Sequence, residues 1–116
     1  MRKIFCALLF FVASSGAFAQ FMTGNDLARL SKANDRFDQR KYSETDTLAS
    51  SQYFGYIEGV FDAMRHQFPC IPAGFVAGQL VAVVTKYLNE HPEEWSFSGN
   101  YLVSKAVKNA FPCGKP

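Results

Sequence analysis

Two cysteines, Cys70 and Cys113, bracket a pair of amphipathic segments, one lying just before the pair and the other just after it. Two helices joined by a short linker fold back on each other, which brings their outer ends together. The predicted helices are about 25 and 20 Å long at about 1.5 Å of rise per residue, similar enough for those ends to meet. A Cys70–Cys113 disulfide is therefore expected. Closing a loop of this size contributes about 4 kcal/mol in the chain-entropy account.

The third cysteine, Cys6, belongs to a leader. Arg2 and Lys3 precede an apolar run from Ile4 to Val12, and small residues follow through Ala17-Phe18-Ala19 before Gln20. That order is the grammar of an export signal, with cleavage expected after Ala19. The apolar run falls well short of the ~20 residues that a membrane-spanning helix needs, and no later segment reaches that length uninterrupted. No membrane anchor is expected after cleavage. An exported chain meets an oxidising compartment, where an even number of cysteines usually pairs.

Residues 20–116 then make a single domain, small enough that core burial alone leaves a thin stability margin. The leader holds two of the twelve basic residues and none of the ten acidic ones, so the remainder is formally neutral. Nucleic acid is disfavoured as a partner, because phosphate binding needs Lys and Arg in excess on one face. The basic cluster Arg36, Arg40 and Lys41 is interrupted by Asp38 and reads as a solvated helix end.

The pattern predicts an all-α fold, a compact four-helix domain with room for extra short turns. The first helix is expected from about Gly24 to Phe37, with Thr23 and Asp26 in a capping pattern and Leu27, Leu30 and Phe37 as apolar contacts. The second starts after Ser43, with Asp46 in its first turn, and continues to about Gln67. Apolar residues cover most of its circumference, which predicts a central position. Gly55 and Gly59, four apart, each cost roughly 1 kcal/mol relative to Ala in a helix interior. They are expected to let another helix backbone approach closely; a hinge or ligand notch is the other reading.

Pro69 and Pro72 flank Cys70 and separate the second helix from the third, expected from Pro72 or Ala73 to Asn89. Its stripe is Phe75, Val76, Leu80, Val83, Val84, Tyr87 and Leu88. His91-Pro92 ends it. A linker from Glu90 to Ser98 leads to a fourth helix, about Gly99 to Phe111, which Pro112 stops.

Catalytic patterns are sparse and no enzyme is expected. The serines lack a G-x-S-x-G setting, and both cysteines are assigned to the bridge. His66 and His91 sit near helix ends, where a cation suits the dipole. Without free cysteines, no local cluster supplies the ligands of a zinc site, so neither a metal nor a cofactor is expected. Glu58 and Asp62, one turn apart with Arg65 beyond, could form an acid and base pair. A solvated face or a buried ion pair explains them without any chemistry.

The linker is the more informative surface. Glu90, Glu93 and Glu94 surround Trp95 and Phe97, and aromatic anchors ringed by charge are typical of binding hot spots. Trp95 and Phe97 could instead fold inward and cover the end of the bundle.

The stretch Tyr56-Ile57-Glu58-Gly59-Val60-Phe61-Asp62-Ala63, followed by Cys70-Ile71-Pro72, Gln79-Leu80, Tyr87-Leu88 with His91-Pro92, and Phe111-Pro112-Cys113, resembles the Rap/Tai immunity family of type VI secretion. The resemblance spans about Gly24 to Cys113. It implies a small periplasmic all-helical protein that binds a peptidoglycan amidase effector and sterically blocks it, in a one-to-one complex or a two-to-two complex built on a homodimer. The contact residues would then include Glu90, Glu93, Glu94, Trp95 and Phe97. The family commonly carries a second cysteine pair, and the matching positions here are Ser31 and Tyr53. By that resemblance the first helix is held by packing alone. The runner-up is a helical acid-stress chaperone of the periplasm without a toxin partner.

Overall fold

The computed structural model describes residues 21–114. The expected leader, its cleavage point after Ala19 and Cys6 lie outside those residues. Four helices follow in order: α1 Gly24–Asp38, α2 Glu44–Ala63, α3 Ala77–Glu90 and α4 Gly99–Ala110. Short 3-10 turns, Arg65–Gln67 and Pro92–Glu94, follow α2 and α3. None of the described helices is long and apolar enough to cross a membrane.

Local chemistry sets the starts of the first two helices. The Asp26 amide donates to Thr23 Oγ1 while the Thr23 amide donates to Asp26 Oδ2, and Ser43 and Asp46 repeat the arrangement on α2. Each reciprocal cap satisfies two amides that a helix start would otherwise leave unpaired. Asp46 also receives the guanidinium of Arg36, at 3.1 Å from Nε and 2.5 Å from Nη2. That bidentate pair joins the end of α1 to the start of α2 across a turn in which Arg40 takes a left-handed φ of 56°.

The core draws on all four helices: Leu27 and Leu30 of α1, Tyr53 and Ile57 of α2, Leu80, Val81, Val84 and Leu88 of α3, and Leu102, Val103 and Val107 of α4. Phe37, expected in this core, is instead 37% exposed and packs on Tyr42, with ring centroids 4.8 Å apart. The α1 and α2 pair carries a buried polar seam. Ser50 Oγ donates to Asn34 Oδ1 at 2.6 Å, and Asn34 donates in turn to Asp38.

Ser31 and Tyr53, where the resemblance leads one to expect a second cysteine pair, are both buried. Ser31 Oγ donates to the Ala28 carbonyl, and the Tyr53 hydroxyl lies 2.8 Å from Thr85 Oγ1 on α3. Burial pushes the Tyr53 phenol up to about 12. The Tyr53 hydroxyl thus adds a polar contact between α2 and α3.

Four sequence expectations are corrected here. The second helix ends at Ala63, not Gln67, and it is not central: Leu48 is 73% exposed, and Gly55, Gly59 and Asp62 face solvent. Its stretch of apolar residues is divided between the core side and open surface. Gly55 and Gly59 pack against nothing, since a Cβ at either position would meet no atom within 4 Å. The third helix begins at Ala77, not at Pro72 or Ala73, because Gly74 adopts φ 79° and interrupts the chain after the second proline. Phe75 and Val76 thus belong to a loop.

The expected disulfide is present. Cys70 and Cys113 are bonded with a Cα–Cα distance of 5.3 Å, which fastens the loop before α3 to the end of α4.

Candidate functional site

The linker between α3 and α4 is built as a junction. At its start His91 stacks on Tyr87, with ring centroids 4.2 Å apart, and its Nδ1 lies 3.0 Å from Glu93 Oε1. Glu94 turns inward. Lys105 Nζ donates to its Oε1 at 2.5 Å, and the Tyr87 hydroxyl donates to its Oε2 at 2.6 Å. The Lys105 ammonium, then the Tyr87 hydroxyl, holds the Glu94 carboxyl below the usual carboxylate range. The bond to Glu94 in turn raises Lys105.

Trp95 also turns inward, as the alternative reading of the linker allowed. Its indole Nε1 donates to the Leu88 carbonyl at 2.9 Å. Leu88 lies in the last turn of α3, where carbonyls have no partner within the helix. The linker backbone serves the first helix in the same way: the Asn25 amide donates to the Trp95 carbonyl at 2.8 Å and the Gly24 amide to the Phe97 carbonyl at 2.9 Å. Close approach is required at two glycines. A Cβ on Gly24 would lie 2.7 Å from Trp95 Cα, and one on Gly99 would lie 2.7 Å from the Tyr56 hydroxyl and 3.0 Å from the Met22 carbonyl.

The outward face of this junction carries Phe97 and Tyr101, each 47% exposed, in an edge-to-face pair with centroids 5.5 Å apart. Lys105 Nζ sits 5.6 Å from the Tyr101 ring centroid. Glu90 and Glu93 are exposed as well, and Glu90 pairs with Lys86 at 3.6 Å. The five linker residues singled out by sequence therefore divide: Glu94 and Trp95 hold the junction together, whereas Phe97, Glu93 and Glu90 remain accessible. Tyr101 was missed. It lies off the Leu102, Val103, Ala106 stripe of α4, and that mismatch of phase was the available signal.

One donor atom from each of His91, Glu93 and Glu94 lies within 4.8 Å of the others, a convergence the sequence spacing did not suggest. Both oxygens of Glu94 are already engaged by Lys105 and Tyr87, so the cluster is organised around protein cations and hydroxyls.

Glu58 and Asp62 do not form the ion pair considered for them. Arg65 turns away, donating from Nη1 to the Phe68 carbonyl at 2.9 Å with its guanidinium over the Phe61 ring. His66 lies exposed in the 3-10 turn after α2.

Compared with known proteins, residues 23–113 match the family model described as Rap1a immunity proteins. No curated protein matches the chain.

Proposed function

This chain belongs to the Rap1a immunity protein family, and we propose that it acts in the periplasm, binding a type VI secretion peptidoglycan amidase effector and keeping substrate out of its active-site groove. The family match from residue 23 to residue 113 carries this reading, because it covers all four helices, the disulfide and the linker. The blocking role needs no chemistry from the immunity protein itself. It needs a surface whose shape is set before the partner arrives, since ordering a loop on binding costs affinity.

The linker meets that requirement. Glu94 and Trp95 fix its course to α3 and α4, and its carbonyls are bonded to the start of α1. Phe97 and Tyr101 would be the aromatic anchors, with Glu90 and Glu93 as a charged rim. Exposed aromatics at the centre of a rigid patch are the residue types that dominate binding energy at interfaces.

The test is titration calorimetry of the mature protein against amidase toxins encoded beside its gene, combined with a peptidoglycan cleavage assay. A tight complex that abolishes cleavage is expected. Phe97→Ala with Tyr101→Ala should weaken it by about 1,000-fold, as for two anchor residues of about 2 kcal/mol each. Absence of heat with every adjacent amidase would refute the immunity reading.

A further inference from the structure

A groove at the other end of α3 is lined by two carboxylates that no ion pair among the described residues engages. It runs between the last turns of α2, the loop before α3 and the first turn of α3, and encloses about 250 Å³. Phe61, Phe75, Val76 and Leu80 form its apolar wall, and Glu58 and Asp62 line its rim. Because α3 is 14 residues long, about 20 Å separates this groove from the linker surface.

The wall is preformed. Phe75 is held between Phe61 and Phe111, at centroid distances of 5.8 and 5.0 Å, and the loop that carries it is fastened by Cys70. Val76 is nonetheless 58% exposed, so apolar surface stays open beside the carboxylates. None of the ion pairs among the described residues includes Glu58 or Asp62. Arg65, the cation nearest in sequence, is committed to the Phe68 carbonyl and the Phe61 ring.

We propose that this groove receives an arginine or lysine side chain presented by a protein partner. Such a side chain has an apolar stem that can lie along Phe75, Val76 and Leu80 while its head stays at the rim between Glu58 and Asp62. Arginine fits best, because its planar guanidinium stacks on aromatic rings and pairs with carboxylates through two donors. The volume suits one long side chain and falls below the range of small-molecule and cofactor pockets. For its biological partner this inference rests on the immunity reading, in which the toxin would supply the basic side chain as a second contact remote from the linker.

The experiment is an amide-shift NMR titration of the mature protein with acetyl-Leu-Arg-Leu-amide and with its citrulline twin, which keeps the shape and removes the charge. Saturable shifts are expected at residues 58–62 and 75–80 with the arginine peptide. Affinity should fall about fivefold or more with citrulline, and equally in the Glu58→Gln, Asp62→Asn double variant, whose changes preserve side-chain volume on an accessible rim. Unperturbed groove amides, or equal binding by the twin or by the variant, would overturn the proposal. Failure here beside a productive toxin complex would leave the immunity reading standing. Peptide binding without any toxin complex would retain the groove and remove that reading.

Discussion

The indole Nε1 of Trp95 donates to the main-chain carbonyl of Leu88 at 2.9 Å, closing the open end of α3 with a side chain from the linker that follows it. The residue that looks most like a binding anchor is thus directed into its own fold, and Phe97 beside it faces out.

This division separates stability from affinity. Trp95→Phe should destabilise the protein by about 1–2 kcal/mol, because the Leu88 carbonyl loses its donor. Trp95→Ala should cost about 3 kcal/mol as packing is lost as well. Phe97→Ala should change stability by no more than about 0.5 kcal/mol. Urea denaturation followed by circular dichroism measures all three, and equal losses at the two positions would contradict the division.

Removal of the clip between the loop and α4 is expected to be costly. The double variant Cys70→Ser, Cys113→Ser should lose about 2–4 kcal/mol, since the bridge closes a long loop in a small domain. The groove should suffer more than the linker, because Phe75 rides on the tethered loop. Hydrogen exchange should therefore accelerate at residues 71–80 before it does at residues 91–98.

Acid should loosen the junction of α1 and α2. The Arg36 guanidinium, then the Ser43 amide, brings the Asp46 carboxyl down to about 2, below the ordinary aspartate value. A lowered folded-state value means that the pair stabilises the protein fully above the unfolded value of about 3.9, and that this stability drains away as pH falls toward 2. Asp26, whose carboxyl is lowered by its bond from the Thr23 amide, acts in the same direction. Melting temperatures should be flat from pH 7 to about pH 5 and should fall between about pH 4 and pH 2. In Arg36→Met the fall should be shallower. An acid-stress chaperone should suppress aggregation of unrelated proteins within that acidic window, and unchanged light scattering there would remove that alternative.

Gly55→Ala and Gly59→Ala are predicted to stabilise the domain by up to about 1 kcal/mol each, since a methyl group at either site enters open space and improves helix propensity. Gly24→Ala should do the opposite, because its methyl group would collide with the Trp95 backbone. Thermal melts of the three variants decide this directly.

Short-range chemistry made much of this fold readable in advance. Thr23 with Asp26 and Ser43 with Asp46 mark helix starts through bonds spanning three residues, and the stripe of α4 needs only its own spacing. The disulfide was legible because two predicted helix lengths and one linker fix where the ends lie. The start of α3 was not, because Pro72 suits a helix's first turn and only the left-handed backbone at Gly74 shows that the helix begins later. Nor did Gly55 and Gly59 reveal which side of α2 they occupy. That depends on how α1, α3 and α4 share the apolar residues of a helix with too many of them. At the linker, hot-spot composition was visible, but the direction of Trp95 depends on an unpaired carbonyl seven residues earlier, which composition does not encode.

The bonds between Met22 and Gly99 and between Gly24 and Phe97 have a practical consequence for labelling. An affinity handle or fluorophore joined ahead of Phe21 would emerge beside Phe97 and Tyr101 and shadow that patch. One appended beyond Cys113 would emerge at the opposite pole, so a toxin-binding assay that uses both fusion designs should report different affinities from the same polypeptide.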